Sequence, residues 1–114
     1  MPRLGLGEFE QLVLLAILHL GGEEENDVYG VPIADEIERR TGRLASRVAV
    51  YIALRRLEQK GLVNTWIGDP VAERGGKARR CVKVTPTGLQ ALQDARETLD
   101  RMWVGLDANA EKEA

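Results

Sequence analysis

The chain is poor in the residues that usually announce chemistry. It has a single cysteine, Cys81, so no disulfide can form within it, and a reducing cytoplasm is the expected compartment. Its one histidine, His19, stands in an apolar segment without cysteine or histidine companions at ligand spacing, which favours a structural role over metal binding or proton transfer. Ser46 has no base at a telling spacing and reads as a helix cap. Gly75-Gly76-Lys77 lacks the following helix and hydroxyl of a phosphate-binding loop. The apolar run from Val13 to Leu18 is far short of the roughly 20 residues that cross a membrane. The N-terminus shows no basic start leading to an apolar stretch and a small-residue cleavage site, so a secretory leader is not expected. No constellation supports an enzyme, and neither a metal nor an organic cofactor is expected.

What the chain does have is segregated charge. Its 114 residues fit one small domain with a modest core, for which oligomerisation would be a source of added stability. The net charge is −2, but residues 37–83 hold twelve Lys and Arg against four acids, a local surplus of +8. The remaining residues hold four bases against fourteen acids. Such segregation concentrates positive potential on one module, provided that charges clustered in sequence are not scattered in space.

Periodicity predicts a first helix from about Glu8 to Leu20. Phe9, Leu12, Val13, Ala16, Ile17 and Leu20 share one face, and Leu14, Leu15 and Leu18 widen it almost all the way round. A helix apolar on most sides is buried on most sides, here against its own core and a second subunit. A second helix should start near Val31 or Pro32 and close at Thr41-Gly42. A third begins after Ser46 and stops at Gly61, with Val50, Ala53, Leu54 and Leu57 on the inner face. Arg47, Val48, Tyr51, Ile52 and Arg55 fall on the other side. Two strands, Leu62 to Ile67 and Arg80 to Thr85, flank a basic loop with the turn-favouring Asp69-Pro70 and the pair Gly75-Gly76. A fourth helix starts at Thr85-Pro86, a cap followed by proline. Leu89, Leu92, Leu99, Trp103 and Leu106 then follow a heptad seam interrupted by Arg96, too short for a coiled coil without help from another element.

The expected fold is mainly α with a small β-hairpin (α+β), a winged helix-turn-helix with a C-terminal dimerisation helix. The expected division is a winged-helix domain over 1–85, the dimerisation helix over 86–106 and a polar tail over 107–114. A helix with basic residues on its free face, followed by a basic hairpin, suits insertion into a DNA groove with the hairpin against phosphates.

Four stretches carry a family resemblance: Leu6 to Leu18, Val50 to Val63 with Tyr51-Ile52-Ala53-Leu54-Arg55-Arg56-Leu57 at its centre, Glu73-Arg74-Gly75-Gly76-Lys77-Ala78-Arg79-Arg80, and Val84-Thr85-Pro86-Thr87-Gly88-Leu89. In this order, over nearly the whole chain, they resemble the PadR-like family of bacterial transcriptional regulators, and its short members in particular. The resemblance implies a homodimer that represses transcription from a dyad-symmetric operator. Arg47, Val48, Tyr51 and Arg55 match the exposed part of the family's recognition helix, and Lys77, Arg79 and Arg80 match its basic wing. Members usually carry aromatic residues where this chain has Cys81-Val82, and often a tyrosine where Val31 stands, although Tyr29 lies close by.

The DNA-binding set is thus Ser46, Arg47, Val48, Tyr51 and Arg55 on the helix with Lys77, Arg79 and Arg80 on the wing. Arginine pairs bidentately with guanine in the major groove, while Lys and Arg on a wing neutralise phosphates. The plainer reading of the helix is that Arg55 and Arg56 pair with Glu58, Glu36 or Glu38 on a solvated surface. Tyr51 could reach a phosphate with its hydroxyl or serve packing alone. The dimerisation set is Phe9 and Leu12 from the first helix with Leu92, Leu99, Trp103 and Leu106 from the fourth. In some relatives of this fold, aromatics near the dimer centre line a pocket for flat ligands, so Trp103 reads as a seam anchor or as part of an effector site for an unidentified small molecule. A different class of function, a winged helix used for protein–protein interaction, draws support from the acidic loop Glu23 to Asp27 but leaves the basic wing without a purpose.

Overall fold

The computed structural model describes residues 5–21, 30–68 and 80–106. Four helices and a hairpin follow in order: α1 (Glu8–Leu20), α2 (Val31–Thr41), α3 (Arg47–Gln59), β1 (Val63–Ile67), β2 (Arg80–Val84) and α4 (Pro86–Trp103). The strands pair antiparallel, with Val63 opposite Val84 and Ile67 opposite Arg80. Among the described residues no helix is long and apolar enough to cross a membrane.

Helix ends fall where local chemistry puts them. Ser46 Oγ accepts the Ala49 amide at 3.0 Å and Thr85 Oγ1 accepts the Gly88 amide at 3.0 Å, each satisfying a first-turn donor that the helix cannot. α2 stops at Gly42 and α3 gives way at Gly61, both with φ of 76°, a left-handed conformation open to glycine at little cost. Each strand is one residue shorter than expected. The Leu62 amide is taken by the Leu57 carbonyl at 2.9 Å to close the end of α3, and Thr85 has already turned to cap α4.

The core gathers Val13, Leu14 and Ile17 of α1, Ile33 and Ile37 of α2, Val50, Leu54 and Leu57 of α3, and Leu62, Val63 and Val82 around the hairpin. Each large aliphatic side chain buried this way contributes about 1.5–3 kcal/mol. Cys81 and Val82 are both buried, and Trp66 stands opposite Cys81 across the hairpin. Polar ties bind the ends together. Lys60 Nζ donates to both carboxylate oxygens of Glu10, at 3.1 and 2.9 Å, and to the Gly5 carbonyl at 2.8 Å.

Glu36 is the buried acid of the described core, 6% exposed. Arg39 donates to it from Nε at 3.0 Å and from Nη2 at 2.8 Å, and Arg40 Nε lies 3.5 Å away. The Arg39 hydrogen bond holds its carboxyl below the usual glutamate range, against desolvation that pushes the other way. A depressed folded value means that the unfolded chain binds this proton more readily. The resulting stabilisation is present at neutral pH and is lost as pH falls from the ordinary glutamate value, about 4.3, through the folded one. Glu36→Gln should accordingly flatten the acid limb of stability against pH in urea titrations. An unchanged slope would show that the pair makes no difference between the two states.

Candidate nucleic-acid interface

α3 divides cleanly. Val50, Ala53, Leu54 and Leu57 are buried, while Arg47, Val48, Tyr51, Ile52, Arg55 and Arg56 are exposed. From Arg47 to Arg55 the helix rises about 12 Å, comparable with the width of the major groove. The ring of Tyr51 lies over the start of α2. A β-carbon placed on Gly30, whose φ is 59°, would meet the Tyr51 hydroxyl at 2.7 Å and its ring at 3.0 Å. Tyr51 thus packs close against the N-cap of α2, where the positive φ of Gly30 also favours glycine. The glycine before α2 was the sequence signal for this contact, but the contact itself could not be foreseen from it.

The cations sort into two groups. Arg39 and Arg40 pair with Glu36, Arg43 with Glu8, Lys60 with Glu10, Arg96 with Asp100 and Arg101 with Glu97. Among the described residues, Arg47, Arg55 and Arg56 on the outer side of α3 and Lys83 on β2 have no hydrogen-bonding or ionic partner. Among the described residues no ion pair joins Arg55 or Arg56 to Glu36, Glu38 or Glu58. Glu36 is held by Arg39 and Arg40, and Glu58 accepts the Thr65 hydroxyl. Arg56 and Lys83 were absent from the expected DNA-binding set. Arg80 is exposed at the first position of β2, while Lys77 and Arg79, like Tyr29, lie outside the described residues.

A second surface lies between α1 and α4. Leu15, Leu18, Leu89, Leu99 and Trp103 line an open groove of about 620 Å³, and all five are exposed. Met102 and Leu106 extend the exposed apolar surface along the end of the chain described. The expected dimerisation set is divided by the fold. Leu99, Trp103 and Leu106 are exposed, Leu92 lines the groove at 7% exposure while joining the core, and Phe9 and Leu12 are part-buried against that core. From α1 it is Leu15 and Leu18 that face outward.

The sequence profile described as the transcriptional regulator PadR-like family matches residues 17–94, well over half of the chain. The chain belongs to the PadR-like family of transcriptional regulators. The transcriptional regulator Rv3488 of Mycobacterium tuberculosis is 34% identical over 99 residues, covering 83% of each chain. Solved structures show the same fold. A transcriptional regulator from Clostridium thermocellum superimposes with a TM-score of 0.66 at 19% identity, covering 87% of this chain and 86% of its own. A PadR-like regulator from Bacillus cereus gives 0.62 at 18% identity, covering 91% and 88%. Membership in a family of regulators accounts for a chain organised around a charged helix face and not around an enzyme's constellation.

Proposed function

We propose that this PadR-like regulator is a homodimeric repressor, acting in the cytoplasm, that recognises a dyad-symmetric operator through α3 and a basic wing. The observation that supports the reading is the sorting of cations. Most basic side chains elsewhere in the described fold are neutralised, whereas those on the outer side of α3 are left for an external anion. Lys77, Arg79 and Arg80 of the wing are assigned to phosphates on the resemblance and the charge surplus. In the dimer, Leu15, Leu18 and Leu89 join Leu99, Trp103 and Leu106 in the seam, with Trp103 as its anchor, because so large an exposed apolar strip needs covering.

The test is selection of bound sequences from a random duplex pool, followed by titration at two salt concentrations. An enriched inverted repeat with steep salt dependence supports the operator reading, and Lys77→Ala should then reduce the salt slope by about one unit. A folded protein that enriches nothing would leave the protein-interaction module as the better account. The seam has its own check. Leu99→Glu places a charge on an exposed position, so it should leave the fold intact yet shift sedimentation from dimer to monomer and weaken operator binding at least tenfold, by the loss of paired half-sites. A Leu99→Glu protein that still sediments as a dimer would place the interface elsewhere.

A further inference from the structure

The outward face of α3 is not uniformly basic. At about 100° per residue, the direction opposite Val50, Ala53, Leu54 and Leu57 is occupied by Val48, Ile52 and Arg55. Arg47 and Tyr51 lie to one flank of that crest, with Tyr51 turned against Gly30, and Arg56 lies to the other. The part of the helix standing furthest from the core thus begins with two branched aliphatic side chains, Val48 at 67% exposure and Ile52 at 47%. Neither belongs to the buried core cluster nor to the groove between α1 and α4. Arg47, Arg55 and Arg56, without partners among the described residues, surround them.

An apolar ridge inside a ring of free cations is complementary to a surface that is anionic at its rim and carries methyl groups in its floor. The major groove of DNA meets that description only where thymine places its C5 methyl. A protein surface with an apolar centre and an acidic rim would match the same pattern, and the choice of DNA rests on the operator reading. Resting on the operator reading above, we propose that Val48 and Ile52 read thymine methyl groups, so that the half-site owes part of its sequence to two apolar contacts and not to arginine alone. The two residues are one helical turn apart, about 6 Å along the axis, or roughly two base-pair steps at 3.4 Å each. The operator half-site should therefore carry two thymines about two base pairs apart, with Arg55 beyond Ile52 placed for an adjoining guanine.

The experiment uses the intact protein and the duplex it selects. Each thymine in a half-site is replaced in turn by deoxyuridine, which keeps every hydrogen-bonding group and removes only the methyl. Wild-type affinity should fall about four-fold at each of two positions, the effect of burying one methyl, and stay unchanged at the rest. Val48→Ala should abolish the penalty at one position and Ile52→Ala at the other. Both residues are exposed on a helix, so alanine should not disturb folding. If no deoxyuridine substitution matters while salt-dependent binding to the selected duplex persists, the ridge does not read methyls and the operator assignment still stands. Penalties that survive both alanine substitutions would overturn the assignment to Val48 and Ile52. A protein that selects no duplex at all defeats the proposal together with the reading on which it rests.

Discussion

Gly88→Ala is expected to lower the thermal midpoint by about 10–15 °C, an effect of about 2–3 kcal/mol for a domain of this size. Gly88 sits in the first turn of α4, buried against the end of α3. A β-carbon there would lie 2.2 Å from the carbonyl oxygen of Leu62 and 2.9 Å from Cγ1 of Val84. The first of these is backbone and cannot swing aside as a flexible side chain would. It is also committed, since the same carbonyl accepts the Thr85 amide at 3.0 Å. Thr85 Oγ1 in turn donates to the Gly61 carbonyl at 2.8 Å while accepting from Gly88, so the junction contains several short-range contacts with no slack between them. Relief would have to come from moving α4 as a body. Thr87→Ala, one residue away at an exposed position, should shift the midpoint by no more than about 3 °C. Equal midpoints for the two variants in a thermal melt would show that the close approach at Gly88 is not real in solution.

The second large effect concerns binding and should leave stability alone. Combining Arg47→Ala with Arg55→Ala is expected to cost at least a hundredfold in affinity for the selected operator, about tenfold for each lost bidentate contact. Neither arginine has an intramolecular partner among the described residues, so nothing in the fold is orphaned when both are removed. Alanine is at least as good a helix former, and the melting temperature should stay within a few degrees. Arg43→Ala provides the contrast. It removes an equal charge, but that charge is paired with Glu8 at an exposed site worth at most about 1 kcal/mol, and its loss should leave sequence preference intact. Retention of full operator affinity by the double variant would remove Arg47 and Arg55 from the reading of bases.

The helices could be read from the sequence because their ends are marked by local chemistry. Ser46 and Thr85 cap, Gly42 and Gly61 stop, and the inner face of α3 has a spacing that no strand would produce. What could not be read is direction where the pattern saturates. α1 is apolar almost all round, so periodicity could not say that Leu15 and Leu18 face outward while Phe9 and Leu12 serve the protomer's own core. Likewise the heptad through α4 treats Leu92 and Leu99 alike, although only the first joins the buried core. Burial of Glu36 was illegible for a different reason. An acid among arginines looks like a solvated face until the fold shows that the arginines come to it. The partition of α3 was legible, but the absence of partners for Arg47 and Arg55 among the described residues is a property of three dimensions and could only be seen there.

α4 is buried mainly at one end. It runs 18 residues, about 27 Å, yet its buried residues are Gly88 and Leu92, both near its root. The root has no loop to absorb rotation, because Thr85 alone separates the end of β2 from the start of the helix. A tilt of about five degrees at that fulcrum carries the far end about 2 Å, given the length of the helix. The reverse gearing holds as well. A displacement of the far end of α4 is returned, scaled down in the same proportion, at its root beside the carbonyl of Leu62, immediately beyond the turn that ends α3.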